Sequence, residues 1–438
     1  MNNLKTIRLG LLGCGTVGTG VLKILADNAK DIEGRLGARL EVTRILVTKL
    51  DRERDAAVPA DLLTLDPADV LQNDEVDVVA EVMGGYEPAR THVLAALAAG
   101  KHVVTANKAL LARHGLEIFE AATAAQRDVI FEASVGGGMP IIRTLREGLA
   151  ADHVETLHAI INGTSNYILS AMSDEGASYQ EALAKAQALG FAEADPTLDV
   201  GGGDAAQKLS ILISLAFGCH VPFAEIRTVG IDTVEDVDIR YAREFGYAMK
   251  PLAVARTHDE GIEARVHPAL VPTNGSLAVV HGAFNAVRVQ SRALGPLLLQ
   301  GQGAGMLPTA SAVVSDAVEL GRNLLRGTSG RLPHLAFHDG QASTSGMQSP
   351  GNARHPWYLR VPVRDELGVL GQITQGLAVA GISVSRILQD RPSPDGPVQV
   401  VLMTHSASFA AVAQFKSALR DESWCLGAVQ TIPIEEGV

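Results

Sequence analysis

The chain opens on a short apolar run, Ile7 to Leu12, that stops at Gly13-Cys14-Gly15-Thr16-Val17-Gly18, after which Val17, Val21, Leu22, Ile24 and Leu25 recur at helical spacing. A strand, a glycine turn and a helix in that order predict the first unit of a parallel α/β sheet. Leu40 to Val47, Val76 to Val82 and His102 to Thr105 read as further strands, with the helical stretch ARTHVLAALAAG before the last. Strands alternating with helices require right-handed crossovers and hence a parallel sheet. In that context Gly13 permits the tight turn, Gly15 lets backbone approach a pyrophosphate, and Gly18 allows close helix packing, while the helix N-terminus attracts phosphate. The turn therefore predicts a Rossmann dinucleotide site at Gly13, Gly15, Thr16, Val17 and Gly18, although a purely structural glycine turn would begin the same way.

The tip of the second strand bears on cofactor choice. It reads VTKLDRER, with no acid placed directly for a ribose 2′-hydroxyl, whereas Lys49, Arg52 and Arg54 suit a 2′-phosphate. NADP is expected over NAD, and Asp51 keeps NAD open. Thr105 ends the fourth strand and Lys108 follows it, in a carboxyl-end loop of the sheet where ligand contact is expected. Lys108 also suits an ordinary surface position at a helix start.

A second feature lies between Gly190 and Lys208, GFAEADPTLDVGGGDAAQK, which places four carboxylates and a lysine just before the apolar LSILISLAF. Asp204 and Lys208 are four apart on a helix opened by Gly201 to Gly203, so they share a face. Glu193, Asp195 and Asp199 sit upstream in a loop punctuated by Gly and Pro, with side chains free to converge on a ligand. A solvated loop followed by an ordinary ion pair would have the same composition. The helix after Lys208 is apolar nearly all round, however, and charges at the start of a buried helix are costly unless they have a task. Clustered charge at such an edge favours a site.

Length and charge limit the partners. At 438 residues the chain should divide into roughly two to four domains. A net charge of −12 argues against a nucleic-acid surface and for a small-molecule partner. The apolar runs fall short of the ~18 residues needed to span a bilayer, and the first apolar stretch merges into the glycine loop with no cleavage site behind it, so a cytoplasmic protein is expected. Cys14, Cys219 and Cys425 have no paired spacing and fit reduced thiols; Cys219-His220 lacks the second cluster that a tetrahedral metal site needs.

Three domains are expected. Residues 1–135 form the Rossmann unit, ending at the glycine-rich run ASVGGGMP. Residues 136–307 form an α+β substrate-binding and dimerisation domain. After a linker at 329–356, rich in Gly, Ser, Pro and His, residues 357–438 form a βαββαβ module. The segment GQGAGMLPTASAVVSD opens an amphipathic helix, 308–327, expected to pack back on the Rossmann unit. Its loop at Gly303 suits cofactor contact, and equally plain helix initiation.

Taken together, GLLGCGTVGTGV, TANKALLA, EASVGGGMPI, INGTSNYIL, GFAEADPTLDVGGGDAAQKLSIL and GQGAGMLPTASAVVSD resemble homoserine dehydrogenase in the expected order from about Thr6 to Gly327. VRDELGVLGQITQGLAVAGISVSRI resembles an ACT module, the regulatory unit of the monofunctional bacterial form, and with the first strand at the start of the chain no fused aspartokinase is expected. The resemblance implies reversible NAD(P)H-dependent reduction of aspartate 4-semialdehyde to homoserine in threonine and methionine biosynthesis. It casts Lys208 as the acid that protonates the aldehyde oxygen and Asp204 as the group that holds the hydroxyl or orients that lysine. Lys108 steadies the oxyanion, and its like charge favours proton release from Lys208. Glu193 and Asp199 suit the substrate ammonium, while Asn162, Gly163 and Thr164 supply backbone and hydroxyl contacts. No role falls to Asp195.

The resemblance further implies a monovalent cation such as sodium at Glu132 and the carbonyls of Val135, Gly137 and Met139, an all-oxygen set suited to a hard ion. Thr48 stands where many members of the family have an arginine facing the 2′-phosphate, which weakens the NADP reading. An amino-acid effector, with threonine as the candidate, is expected near Asp365 to Val369 between paired modules, and the protein is expected to be a homodimer or homotetramer. The same residues leave open a non-catalytic sensor of nucleotide and amino acid, another oxidoreductase acting on an amino-acid-like aldehyde, and an amino acid dehydrogenase.

Overall fold

Six strands line up in parallel in the first sheet, in the order β3-β2-β1-β4-β5-β6: β1 Thr6–Leu12, β2 Arg39–Leu46, β3 Leu63–Thr64, β4 Val78–Glu81, β5 His102–Thr105 and β6 Val129–Ile130. The computed structural model describes residues 4–259, 261–338, 346–347, 351–391 and 396–438. The four strands expected from sequence are all present. The two edge strands, β3 and β6, have two residues each, too few for any periodicity to announce them. Strand order reverses between β1 and β4, which opens the crevice at the carboxyl ends where such sheets bind ligands.

The chain divides into two compact units. The first comprises 1–154, 207–225 and 285–344; the second comprises 155–206, 226–284 and 345–438. In the first, Leu9, Leu11, Val78, Ala80 and Val104 from the sheet pack with Val21 of helix Thr16–Asp27 and with Ala310, Val313 and Ala317 of helix Met306–Arg326. Each large aliphatic side chain so buried contributes about 1.5–3 kcal/mol. The two helices touch closely because Gly20 has no side chain: a Cβ there would lie 2.7 Å from the Met306 carbonyl oxygen. The hairpin strands β11 Phe284–Ser291 and β12 Gly295–Gln302 lead into that last helix.

The second unit is built on four strands in the order β8-β10-β9-β7. Strands β9 Tyr247–His258 and β10 Gly261–Pro272 form a long antiparallel pair, β7 Val154–Ile160 pairs with β9, and β8 Arg227–Thr228 runs parallel to β10 at the edge. Its C-terminal part runs β14 Trp357–Val363, helix Val369–Val379, β15 Val384–Asp390, β16 Val398–Thr404, helix Phe409–Ala418 and β18 Gln430–Pro433, the expected βαββαβ order. Their sheet is antiparallel, β15-β16-β14-β18, beside a two-stranded ribbon of β13 Arg354–His355 and β17 Ala407–Ser408. Of the segment 329–356 expected as a linker, 339–345 and 348–350 lie outside the described residues, and β13 occupies its end. The C-terminal part is stitched to the larger sheet, because Ile434 pairs with Leu270 and the Glu435 amide donates to the Leu270 carbonyl at 2.8 Å. Among the described residues no helix is long and apolar enough to cross a membrane.

Candidate active site

In the first unit the glycine turn follows β1 directly. Gly13 has φ of +100°, a conformation L side chains rarely adopt, and a Cβ on Gly18 would lie 2.7 Å from the Gly13 carbonyl oxygen. The helix that begins at Thr16 has no side-chain cap at Gly15 and no acid in its first turn. Its first amides are thus left for an anion rather than for the chain itself. After β2, Lys49 is exposed, while the Arg54 guanidinium is turned back onto the carbonyls of Lys49, Leu50 and Arg52. Of the three cations expected at a 2′-phosphate, Arg54 therefore shapes the loop.

The loops after β4 and β5 are tied together by Glu81, which sequence periodicity does not single out. Its fully buried carboxylate accepts from the Met83 and Gly84 amides at 2.9 and 3.2 Å and from the Thr105 hydroxyl at 2.6 Å. Burial pushes its carboxyl above the usual range, against the pull of these bonds. The Thr105 hydroxyl also accepts from the Asn107 amide at 3.0 Å, so this side chain, expected at the cofactor, is consumed by the loop. Asn107 caps helix Lys108–Ala125 by accepting from the Leu110 amide, and its own amide donates to the Gly85 carbonyl at 2.7 Å. Half-buried Lys108 is the first residue of that helix. The one sequence signal for Glu81 was an acid ending an apolar strand.

The glycine-rich turn after β6 is also fastened from within. Both oxygens of the Glu132 carboxylate accept backbone N–H groups, from Ile142 at 2.7 Å and Arg143 at 2.9 Å, and the Met139 carbonyl accepts from Ile141 at 2.8 Å. The Glu132 amide donates to Asp316 at 2.8 Å. Asp316 is wholly buried within helix Met306–Arg326, and burial together with the Glu132 charge raises its carboxyl well above the usual range. Glu132, Val135, Gly137 and Met139 offer a hard cation oxygen donors only, and an ion there would share the Glu132 and Met139 oxygens with backbone N–H groups. Gly137 and Gly303 also have a packing reason to be glycine: a Cβ on Gly137 would lie 2.7 Å from the Gln302 carbonyl oxygen, and one on Gly303 would collide with Asn285 at 2.0 Å.

In the second unit Asn162 lies two residues after β7 and caps helix Gly163–Glu175, its Oδ1 accepting from the Ser165 amide at 2.8 Å. Its Nδ2 donates to the carboxylates of Asp199, at 2.8 Å, and Asp204, at 2.9 Å. Ser165 holds the Asp199 carbonyl at 3.0 Å. Asp204 is buried and Asp199 half-buried, so two acids are gathered on one amide in a largely dry place. The Thr164 hydroxyl donates to the Phe191 carbonyl at 2.5 Å, and Gly163 allows the Ala283 carbonyl to come close.

Helix Gly203–Phe217 carries Asp204 in its first turn and half-buried Lys208 one turn on, at the spacing read from sequence. Glu193 is different: it is exposed, and its carboxylate takes no hydrogen bond among the described residues. Asp195, which had no role, accepts from both the amide and the hydroxyl of Thr197, at 3.1 and 2.6 Å, and so fastens the turn at Pro196 that precedes the short helix Thr197–Val200. Those bonds hold its carboxyl below the usual range.

Two family models match the chain. The one described as homoserine dehydrogenase, NAD binding domain, covers residues 13–132, and the one described as homoserine dehydrogenase covers 140–318. The homoserine dehydrogenase of Pseudomonas aeruginosa is 43% identical, over 99% of this chain and 100% of its own length. The chain belongs to the homoserine dehydrogenase family. That of Neisseria gonorrhoeae is also 43% identical, over 92% of each chain. Among solved structures, a homoserine dehydrogenase from Thiobacillus denitrificans superposes with a TM-score of 0.93 at 45% identity, covering 99% of both chains. A hyperthermophilic archaeal homoserine dehydrogenase solved with NADPH superposes with a TM-score of 0.62 at 26% identity, covering 74% of this chain and all of its own. Residues 13–132 of the first unit are thus an NAD-binding domain of this family, and a nicotinamide dinucleotide is its cofactor class.

Proposed function

We propose that this protein catalyses the reversible NAD(P)H-dependent interconversion of L-aspartate 4-semialdehyde and L-homoserine, in the cytoplasm, on the path to threonine and methionine. The observation that carries this reading is the Asn162 amide joining Asp199 to Asp204, with Lys208 one helical turn further along. The nicotinamide cofactor supplies the hydride when bound. Lys208 gives a proton to the aldehyde oxygen as negative charge grows there, and takes it back in the oxidative direction. Asp204 orients this exchange from its fixed position, while Lys108 adds positive charge at the oxygen. Asp199 and Glu193 receive the substrate ammonium, with Gly163 and Thr164 shaping the wall. Because Asn162 restrains the two acids, their carboxylates are in position before substrate arrives.

The dinucleotide would be held by Gly13, Gly15, Thr16, Val17 and Gly18, with Lys49, Lys108, Gly303 and the backbone of Thr105 beside it. NADP is preferred on the strength of Lys49 and Arg52. A sodium ion at Glu132 and the carbonyls of Val135, Gly137 and Met139 would brace the turn. Replacing sodium by choline at constant ionic strength should lower activity if it does.

The βαββαβ part acts as an ACT-type regulatory module in a homodimer or homotetramer, binding an amino acid, threonine as the candidate, near Asp365 to Val369. Two features support this: Gly368 has φ of +90° at the helix start, and Leu367 is fully exposed. Threonine should inhibit the wild type and fail to inhibit Leu367→Glu or Asp365→Ala.

The deciding experiment measures homoserine-dependent reduction of NADP and NAD by the wild type and by Lys208→Ala. Loss of one general acid–base group should lower kcat by about 10²–10⁴-fold. Undiminished turnover in the variant would refute the proton-transfer role, and no homoserine-dependent turnover in the wild type would refute the activity.

A further inference from the structure

The second unit contains a cavity of about 280 Å³ between the β8–β10 edge and the face of the C-terminal part formed by β14, β18 and helix Phe409–Ala418. Its charged lining is one-sided. Arg227, Arg265, Arg360 and Lys416 face Glu235 alone, in a chain whose net charge is −12. The rest of the wall is largely apolar, with Trp357 and Phe409 packed edge to face at 4.6 Å between ring centroids.

The four cations differ in how they are compensated. Arg265 is buried and paired with Glu435 and Glu263, and Arg360 is paired with Asp238 at 2.6 Å and Glu235 at 2.9 Å. Arg227 and Lys416 have no carboxylate partner among the described residues. The Phe409 ring is flanked by two guanidinium groups, with the Cζ of Arg227 5.1 Å and that of Arg265 5.3 Å from its centroid. The ring face offsets part of this like-charge crowding. Arg265 has its two carboxylates, whereas Arg227 has none among the described residues. Burial lowers Arg265 to about 10, which still leaves it charged at neutral pH.

From this juxtaposition we infer a binding site for a small organic anion, its apolar body against Phe409 and Trp357 and its carboxylate or phosphate head between Arg227 and Lys416. Cations around an apolar, partly enclosed space attract an anion more strongly than they would in open water. The cavity stands just below the ~300 Å³ that marks the smaller ligand pockets, so the body is a single ring or a branched aliphatic group. It is distinct from the Asn162–Asp204 site and from the loop at Asp365 to Val369. An anion there would touch the Arg265 and Arg360 guanidinium groups that fasten the C-terminal part to the rest of its unit, through Glu435 and Asp238.

Calorimetric titration of the full chain with phenyl phosphate and with benzoate tests this and separates the two head groups; benzyl alcohol and inorganic phosphate supply the body and the charge alone. Saturable one-to-one binding is expected for at least one of the aromatic anions. The affinity should fall at least about tenfold in Arg227→Ala/Lys416→Ala, since a charge-assisted bond is lost at each position. Ala413→Trp, which fills the cavity and leaves both cations, should weaken binding as much, and Arg227→Lys/Lys416→Arg should restore it. The inference is overturned if neither aromatic anion binds saturably, if the double alanine and Ala413→Trp variants bind as the wild type does, or if inorganic phosphate or benzyl alcohol binds as tightly.

Discussion

The side-chain amide of Asn162 stands 2.9 Å from the Asp204 carboxylate, and the same nitrogen reaches Asp199 at 2.8 Å. One neutral donor bridges the two acids, and Asn162 is itself fixed by capping the helix that follows.

Replacing Asn162 by alanine removes both charged hydrogen bonds. Each is worth about 1.5–3 kcal/mol, so kcat/KM for homoserine should drop roughly 10- to 100-fold. Asn162→Asp should do worse, because it adds a third carboxylate in place of the donor. Steady-state kinetics of the two variants decide this, and wild-type kcat/KM in Asn162→Ala would show that the acids need no such restraint.

Asp195 provides the contrast. Its bonds to Thr197 are local and exposed, so Asp195→Ala should lower the melting temperature only slightly and leave kcat within a factor of about three. A fall in kcat comparable to that of Asn162→Ala would place Asp195 in the chemistry.

Acid should unfold the second unit through one buried network. Against the cost of burial, the Arg265 guanidinium, the His158 hydrogen bond and Arg256 hold the Glu435 carboxyl well below 4.5. His267 and His355 are lowered from 6.5 to about 3, by burial first and the Arg265 charge second. Below pH 6.5 the unfolded chain takes up protons that these folded imidazoles refuse, so stability falls from about pH 6.5 towards 3. The Glu435 contribution, fully present above 4.5, is lost lower still, as pH passes through its folded value. Melting temperature measured from pH 8 to 4 should decline once below about 6.5, and Glu435→Gln should cost about 3–5 kcal/mol at neutral pH by leaving two arginines short of a partner. A flat profile, or a Glu435→Gln variant as stable as the wild type, would contradict the linkage.

At Gly18 a methyl group would lie 2.7 Å from the Gly13 carbonyl oxygen. Gly18→Ala should push the helix away from the turn, costing about 1–3 kcal/mol of stability and weakening dinucleotide binding more than substrate binding. Cofactor titration by fluorescence checks this; unchanged affinity would mean that the turn does not seat the pyrophosphate.

Much of the fold was legible in the linear chain because it rests on local rules. The strand, glycine turn and helix at Ile7 to Leu25, the helix carrying Asp204 and Lys208, and the βαββαβ order after Trp357 follow from periodicity and turn chemistry acting over a few residues. The motifs at Gly13, Asn162 and Gly190 likewise carried the family, which the comparisons bear out. What sequence could not supply were partnerships across long separations. Glu81 meets Thr105 and Asn107 from a neighbouring strand, Asp316 reaches back to Glu132, and Glu435 closes on His158, Arg256 and Arg265. A lone acid in an apolar run has no local signature of its partner. The same holds for the crowding of Arg227 and Arg265 on Phe409. Sequence by itself determined the longer strands and helices of the first sheet and of the C-terminal part, since those depend on each residue and its near neighbours. Only the tertiary structure decided which buried charges are satisfied, because desolvation forces each to find a partner wherever the folded chain brings one.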